Sequence, residues 1–394
     1  MTGSILTLNA GSSSLKFALF DEALIPILRG EIEDIDGAPR LAARDVAGRV
    51  VVERRWPADD ASFAVILSDL LEILHDHAGR DGLGSAGHRI VHGGVDHVEP
   101  ALITHDLLDS LDGLTPLDPL HMQHNLAPVR AILKMRPDLP QVACFDTAFH
   151  HDMPIEAQIV PVPRALQDAG VRRYGFHGLS YEYIANRLAL DAPDLAHGRV
   201  IIAHLGAGAS LCALSAGVSI ATTMGFSTLD GLLMATRCGN IDPGVLLYLA
   251  RQGRSVSEIE DLLYHQSGLL GVSGISGDLR ILLASDDARA VEAIRLFSYR
   301  IAVEAGGMAS ALGGIDGFVF TAGIGERSAF MRAAVCERLA WLGIVLDDVA
   351  NAANARQISA TDSKIKVLVY ATDEEAMIAQ HTRAVLFRHL ETNR

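Results

Sequence analysis

Three short stretches of this chain carry residue types suited to holding an anion. "NAGSSSLKF", from Asn9 to Phe17, puts a glycine, three consecutive serines and a lysine into one tight turn after an apolar strand. "HLGAGAS" from His204 and "FTAGIGERS" from Phe320 repeat the theme of strand followed by glycine and small residues. Small residues let the backbone approach a ligand closely, successive N–H groups form an anion-binding concavity, and hydroxyls add donors. Three such turns point to a nucleotide held between two lobes.

Commoner phosphate and metal motifs do not account for these turns. The pattern G-x-x-x-x-G-K-[ST] is absent, and the dipeptide Gly-Lys occurs nowhere in the chain. A G-x-G-x-x-G does occur at Gly82, Gly84 and Gly87, but it is followed by "HRIVH", which reads as a strand where a dinucleotide site needs a helix. His88 and His92 are four apart, yet a strand would not present them as a helical zinc pair does. Cys144, Cys212, Cys238 and Cys336 form no C-x-x-C pair, which fits a reducing compartment better than a disulfide framework.

The elements that must position the turns alternate between strand and helix. With 394 residues, of which 49% are apolar and 21% charged, the chain is long enough for two cores. The pattern is α/β. Residues 62 to 77 have apolar positions at helical spacing that break at Gly79, predicting an amphipathic helix. "ILTLNAGSSSLKFALF" from Ile5 and "VIIAHLGAGASLCALSAG" from Val200 share a strand-turn-strand pattern, predicting a duplicated domain. A formal charge of −15 without clustered Lys and Arg argues against nucleic acid or an anionic membrane as partner. No apolar run approaches the roughly 20 residues of a membrane span, and the N-terminus lacks a signal-peptide pattern, so the expectation is a cytoplasmic protein.

"NAGSSSLKF", "HRIVHGG", "FDTAFH", "YGFHG", "HLGAGAS", "TRCGNIDP", "FTAGIGE" and "TDEEAMIA" together resemble the acetokinase family of acetate, propionate and butyrate kinases. These motifs run in family order from Asn9 to Ala379. The resemblance implies the two-lobed fold of acetate and sugar kinases, actin and the heat-shock ATPase, with duplicated ribonuclease-H-like domains. The first lobe would comprise 1–150 plus 377–394, and the second 151–376. It also implies a homodimer, Mg2+ (with Mn2+ as a substitute), and reversible phosphoryl transfer from ATP to a short-chain carboxylate.

That reaction needs no base to create its nucleophile, because a carboxylate is already ionised at pH 7. Positioning and charge neutralisation must dominate instead. The resemblance makes Asp146, His177 and Arg237 the catalytic group, with Asp146 expected to orient an arginine or a metal-bound water. It places Arg89, Val91, Leu120, His121, Phe176 and Thr228 at the acyl acceptor. Ser12, Ser14 and Lys16 of the first turn, and His204, Leu205, Gly206, Ala207 and Gly208 of the second, would meet the nucleotide phosphates. Asp278, Leu279 and Arg280, with Gly323, Ile324, Gly325, Glu326 and Arg327, would lie around adenosine and its phosphates. Asn9 and Glu374 would serve the metal.

Several positions depart from the family pattern. "HLGAG" has Ala207 where the family has asparagine; losing a charge-assisted hydrogen bond of about 1.5 to 3 kcal/mol would lower turnover roughly ten- to a hundredfold unless another donor substitutes. "GFSTLDGL" has Thr228 in place of a proline, adding a hydroxyl to the acyl side. Leu179 and Tyr181 replace residues of an "HGTSH"-like run, Arg327 replaces an asparagine, and "PLHMQHN" around His121 keeps only part of "PLHNPPN". Propionate or butyrate kinases remain alternatives, as does a nucleotide-dependent switch protein on the same fold. Retention of both arginines and His177 disfavours the switch.

Overall fold

The computed structural model describes residues 3–11, 13–35, 37–57, 62–79 and 82–392. Ser12, one of the expected phosphate contacts, lies outside them. The chain divides into two compact units, one running to Ala148 and resuming at Asp373, the other Phe149–Thr372.

The first unit is built on strands β1 (Ser4–Ala10), β2 (Leu15–Phe20), β3 (Pro26–Glu33), β4 (Arg40–Asp45), β5 (Val50–Arg55), β6 (Leu83–Ile90), β7 (Ala101–Leu102) and β8 (Gln141–Phe145). Their order in one sheet is β5-β4-β3-β2-β1-β6-β8-β7. The second unit carries β9 (Arg199–Leu205), β10 (Ala209–Ser215), β11 (Val218–Thr222), β12 (Gly317–Thr321) and β13 (Lys366–Val369), in the order β11-β10-β9-β12-β13.

The two sheets share a five-stranded plan. In the first, β2 runs antiparallel to both of its neighbours, β3 and β1, and β6 and β8 continue parallel to β1. In the second, β11, β10 and β9 are antiparallel, and β12 and β13 continue parallel to β9. The internal repeat expected from sequence is therefore a repeat of topology, and the α/β fold class holds. Both glycine turns join the two central antiparallel strands of their sheet: Gly11 N–H donates to Ser14 O at 2.8 Å, and Gly206 N–H to Gly208 O at 3.0 Å.

Burial explains the strand pattern. β1 and β9 lie inside their sheets and are buried along nearly their whole length, as strands covered on both faces must be. The helix Phe63–His77 begins at Ser62, whose side chain accepts from Val65 N–H, and buries Ile66, Leu67, Leu70, Leu71 and Leu74. Gly79, at φ +74°, follows it. The G-x-G-x-x-G glycines do not precede a helix; Gly84 and Gly87 lie within β6. A Cβ on Gly87 would come within 2.1 Å of Thr382 Oγ1, so this glycine is required by the close approach of helix Glu374–Thr392 to the sheet. Among the described residues no helix is long and apolar enough to cross a membrane.

Candidate active site

Four distant segments of the first unit converge on one guanidinium. Arg89, near the end of β6, donates through Nε to Asp146 Oδ2 at 2.9 Å and through Nη2 to the same oxygen. Its Nη1 donates to Asn9 Oδ1 at 3.3 Å, and Asn9 Nδ2 donates to Glu374 Oε2 at 2.8 Å. Asn9 is the penultimate residue of β1, Asp146 follows β8, and Glu374 opens the last helix. Burial opposes the arginine's charge, but Asp146 and Glu374 outweigh it and raise its pKa above the ordinary value. Burial also pushes the Glu374 carboxyl above its usual range, with Arg89 acting the other way.

The cluster is left with chemistry to offer. Of five guanidinium N–H groups, the three bonds above use three, and the other two find no acceptor among the described residues. Asp146 Oδ1 is buried and finds no hydrogen-bond partner among the described residues. Lys16 pairs across the strands with Asn9, is exposed, and its charge lowers the Glu374 pKa. Ser14 is half-buried beside it. Val91 is buried and donates its N–H to Asn125 Oδ1, Leu120 is half-buried, and His121 is bonded through Nδ1 to Asp118 Oδ1 at 2.7 Å.

The second unit gathers cations and imidazoles around the turn Leu205 to Gly208. The rings of His177 and His204 stack with centroids 4.1 Å apart and planes 13° from parallel. A Cβ on Gly208 would lie 3.2 Å from His177 Nε2 and 4.0 Å from Arg237 Nη1, while one on Gly206 would lie 4.0 Å from His204 Nε2. Both Nε2 atoms and the guanidinium therefore border the turn. His177 holds a left-handed backbone at φ +59°, rare for a residue with a side chain and common at functional sites. Leu205 is buried at the end of β9, and Ala207 is exposed with its carbonyl accepting from Ala235 N–H at 3.1 Å.

The loop carrying Arg237 is locked by glycines. Gly268, at φ +63°, sits so close to this loop that a Cβ would meet Met234 O at 2.3 Å. Arg237 Nη1 donates to Thr228 O at 3.1 Å. Thr228 is buried, and its hydroxyl has no hydrogen-bond partner among the described residues. Phe176, also buried, precedes His177.

Asp278 caps the helix Leu279–Leu283 and pairs with Arg280, whose side chain is exposed; Leu279 is buried. Gly323, Ile324, Gly325, Glu326 and Arg327 all fall in helix Ala322–Arg327, which starts at the end of β12 with Ala322 at φ +62°. Gly323 and Arg327 are exposed, whereas Gly325 is buried. The Glu326 carboxylate accepts from Thr372 N–H at 3.1 Å, so part of it is spent on the protein itself.

Two residues that matter here escaped sequence reasoning. His150 is fully buried between Ser219 Oγ and the Phe176 carbonyl, and a Cβ on Gly175 would strike its ring. Arg332 is fully buried, and its five N–H groups meet Gly325 O, Glu326 O, Asn351 Oδ1, Asn351 O and Asn354 Oδ1. It ties the carbonyls ending helix Ala322–Arg327 to the segment after Asp348. Only the oddity of an arginine in an otherwise apolar helical stretch could have marked it.

The remaining candidates are inert. Burial holds His88 and His92 down to about 4, so both are neutral, and His88 bonds Gln141 instead of a metal. Burial pushes the thiols of Cys212 and Cys336 up to about 12 and that of Cys238 to about 11, away from reactive thiolates. Among the described residues no group of three or more His, Cys, Asp or Glu could hold a metal ion.

Residues 4–380 match the model of the acetokinase family. The chain belongs to that family. It is 49% identical over 393 residues to the acetate kinase of Rhodopseudomonas palustris, covering 97% of this chain and 98% of that protein. It is 41% identical over 386 residues to the acetate kinase of Rickettsia akari, covering 96% and 98%. Among solved structures, a propionate kinase from Francisella tularensis superposes with a TM-score of 0.91 at 35% identity, covering 98% of this chain and 100% of that one. The acetate kinase of Porphyromonas gingivalis gives 0.86 at 35% identity, covering 97% and 99%. As an acetokinase, the protein is a kinase that transfers phosphate from ATP to a carboxylate.

In this acetokinase Arg332→Met would leave five acceptors, three of them in fully buried bonds, short of a donor. The expected loss is about 3 kcal/mol or more of unfolding free energy, measured by urea denaturation.

Proposed function

We propose that this acetokinase phosphorylates acetate with ATP and Mg2+, reversibly forming acetyl phosphate and ADP. The observation that carries the reading is Arg89, which keeps two N–H donors available while Asp146 and Asn9 hold its plane. A guanidinium anchored on one edge presents the other to a carboxylate bidentately. The acceptor is already nucleophilic, so Asp146 serves as an orienting anion and is not an obligatory base.

Of the acceptor-side candidates, Arg89, Val91, Leu120 and His121 lie in the first unit and Phe176 and Thr228 in the second; of the phosphate-side candidates, Ser14 and Lys16 lie in the first and His204 to Gly208 in the second. Arg237, His177, His204 and the N–H groups around Gly206 to Gly208 supply the charge stabilisation that phosphoryl transfer requires. Loss of an amide at Ala207 leaves more of this task to the two imidazoles. The turn at Gly323 to Arg327, with Asp278 and Arg280, is assigned to the nucleoside side.

Magnesium suits the donor set of the first unit. It is bound through one or two carboxylates plus phosphate and water oxygens, not by a protein cage. The orphaned Asp146 Oδ1 and the Glu374 carboxylate are hard oxygen donors of that kind, and Asn9 orients Glu374 through its amide. When bound, the ion would neutralise phosphate charge.

Dimerisation and a cytoplasmic location complete the reading. The helix Pro243–Arg251 buries none of its residues, although Val245, Leu247 and Tyr248 are apolar and more than 40% exposed, which supports a second copy covering it. Four free cysteines support a reducing compartment, where cell fractionation should find the protein with cytosolic markers.

A panel of acetate, propionate and butyrate with ATP and Mg2+, trapped with hydroxylamine, should yield acetyl hydroxamate fastest and none in EDTA. No product from any acid would sink the reading and favour the nucleotide switch. Asp146→Asn should lower kcat roughly a hundredfold by releasing Arg89, within the range for lost transition-state electrostatics; near-normal turnover would remove Asp146 from the mechanism. Light scattering should return about twice the chain mass of 42.1 kDa, and a monomer would refute the dimer.

A further inference from the structure

Each of the stacked histidines in the second unit ends a line of hydroxyls. His177 Nδ1 lies 2.8 Å from Ser210 Oγ, and Ser210 Oγ is hydrogen-bonded in turn to the Tyr181 hydroxyl. His204 Nδ1 lies 2.8 Å from Ser180 Oγ, which lies 2.8 Å from Thr372 Oγ1. Ser180, Tyr181 and Ser210 are fully buried. Both lines end on Nδ1, and both Nε2 atoms border the glycine turn.

We propose that Ser210 with Tyr181, and Ser180 with Thr372, are positioning residues that hold His177 and His204 as neutral rings protonated on Nε2. The proposal rests on the phosphoryl-transfer reading above.

Proton counting gives the direction of the first line. A phenol is a stronger acid than an aliphatic alcohol, so Tyr181 donates to Ser210 Oγ. Ser210 has one proton, which then points at His177 Nδ1 and makes that nitrogen an acceptor. The ring's own proton must sit on Nε2, beside Gly208. The two aliphatic hydroxyls of the second line have no such difference in acidity, and the proposal assigns that line the same polarity, Thr372 donating to Ser180 and Ser180 to His204 Nδ1. Thr372 is held for this by the bond from its N–H to Glu326, whose carbonyl Arg332 grips at 2.9 Å.

The opposite tautomer would turn two lone pairs toward the turn. Phosphate oxygens accept hydrogen bonds, so lone pairs there would repel the ligand that the turn is built to hold. Two imidazolium rings stacked at 4.1 Å would also repel one another. Neutral Nε2–H groups donate without that cost. Tyr181 is one of the positions where this chain departs from the family run, and the phenol gives that departure a task.

The test uses full-length protein labelled with 15N-histidine. Long-range 15N–1H spectra, assigned with His177→Asn and His204→Asn, distinguish Nε2–H from Nδ1–H rings. At pH 8 both rings should show Nε2–H. Ser210→Ala should move His177 to a mixture of tautomers and leave His204 unchanged, with kcat lowered about tenfold and KM for ATP and acetate within about twofold, as expected of an interaction made mainly in the transition state. Ser210→Thr keeps the hydroxyl and should restore both spectrum and kcat. If Ser210→Ala does not fold, Tyr181→Phe should shift the His177 signals in the same direction to a smaller extent. An Nδ1–H ring at His177 in the parent protein, or a serine variant with unchanged spectrum and kcat, would overturn the proposal. Because the spectra need no substrate, lack of kinase activity in the parent would overturn only the functional reading.

Discussion

A guanidinium taken largely out of water must be matched by anions or it unfolds what surrounds it. Arg89 is such a group, with 15% of its side chain exposed and Asp146 almost wholly buried beside it. The match draws on residues far apart in the chain, from Asn9 through Asp146 to Glu374. Much of the first unit can be read as the means of delivering them. β1, β6 and β8 lie side by side, so the ends of three neighbouring strands bring Asn9, Arg89 and Asp146 together. The last helix must then return to this sheet to supply Glu374, and Gly87 opens the room that lets it pack.

The second unit solves a related problem with less charge. Its turn at Gly206 to Gly208 is lined by one arginine and two imidazoles, with hydroxyls behind them. Backbone conformation is spent here freely: His177 and Ala322 both adopt left-handed angles without being glycine. Such strain costs of order 1–3 kcal/mol per residue and persists only where the surroundings over-determine it. His150 beneath Phe176 and Arg332 beneath Glu326 are the surroundings that do so.

Hydrogen bonding also explains why neighbouring residues of one motif have different duties. In "YGFHGLSY" Phe176 packs, His177 faces the turn, and Ser180 and Tyr181 stand behind two different rings. In "AGIGER" the exposed Gly323 and Arg327 are available to a ligand, while Gly325 and the Glu326 carbonyl are occupied by Arg332. A motif is therefore a mixture of residues left open at the surface and residues that hold them in place.

What the sequence determined by itself was whatever depends on local order. Strand-turn-strand patterning revealed the duplicated topology, the 62–77 periodicity and Gly79 revealed a capped helix, and the order of the glycine turns carried the family. Those signals survive in one dimension because pleat, helical period and turn chemistry act between near neighbours. Tertiary structure alone decided that Asn9 bridges Arg89 and Glu374, that His150 and Arg332 are supports, and that His88 and His92 are neutral. It also decided that Ser180 and Ser210 stand behind different histidines. Each of these depends on burial or on hydrogen bonds between residues separated by up to 365 positions. No spacing rule reaches that far, because only the packed chain fixes which polar atoms lose water and must find one another.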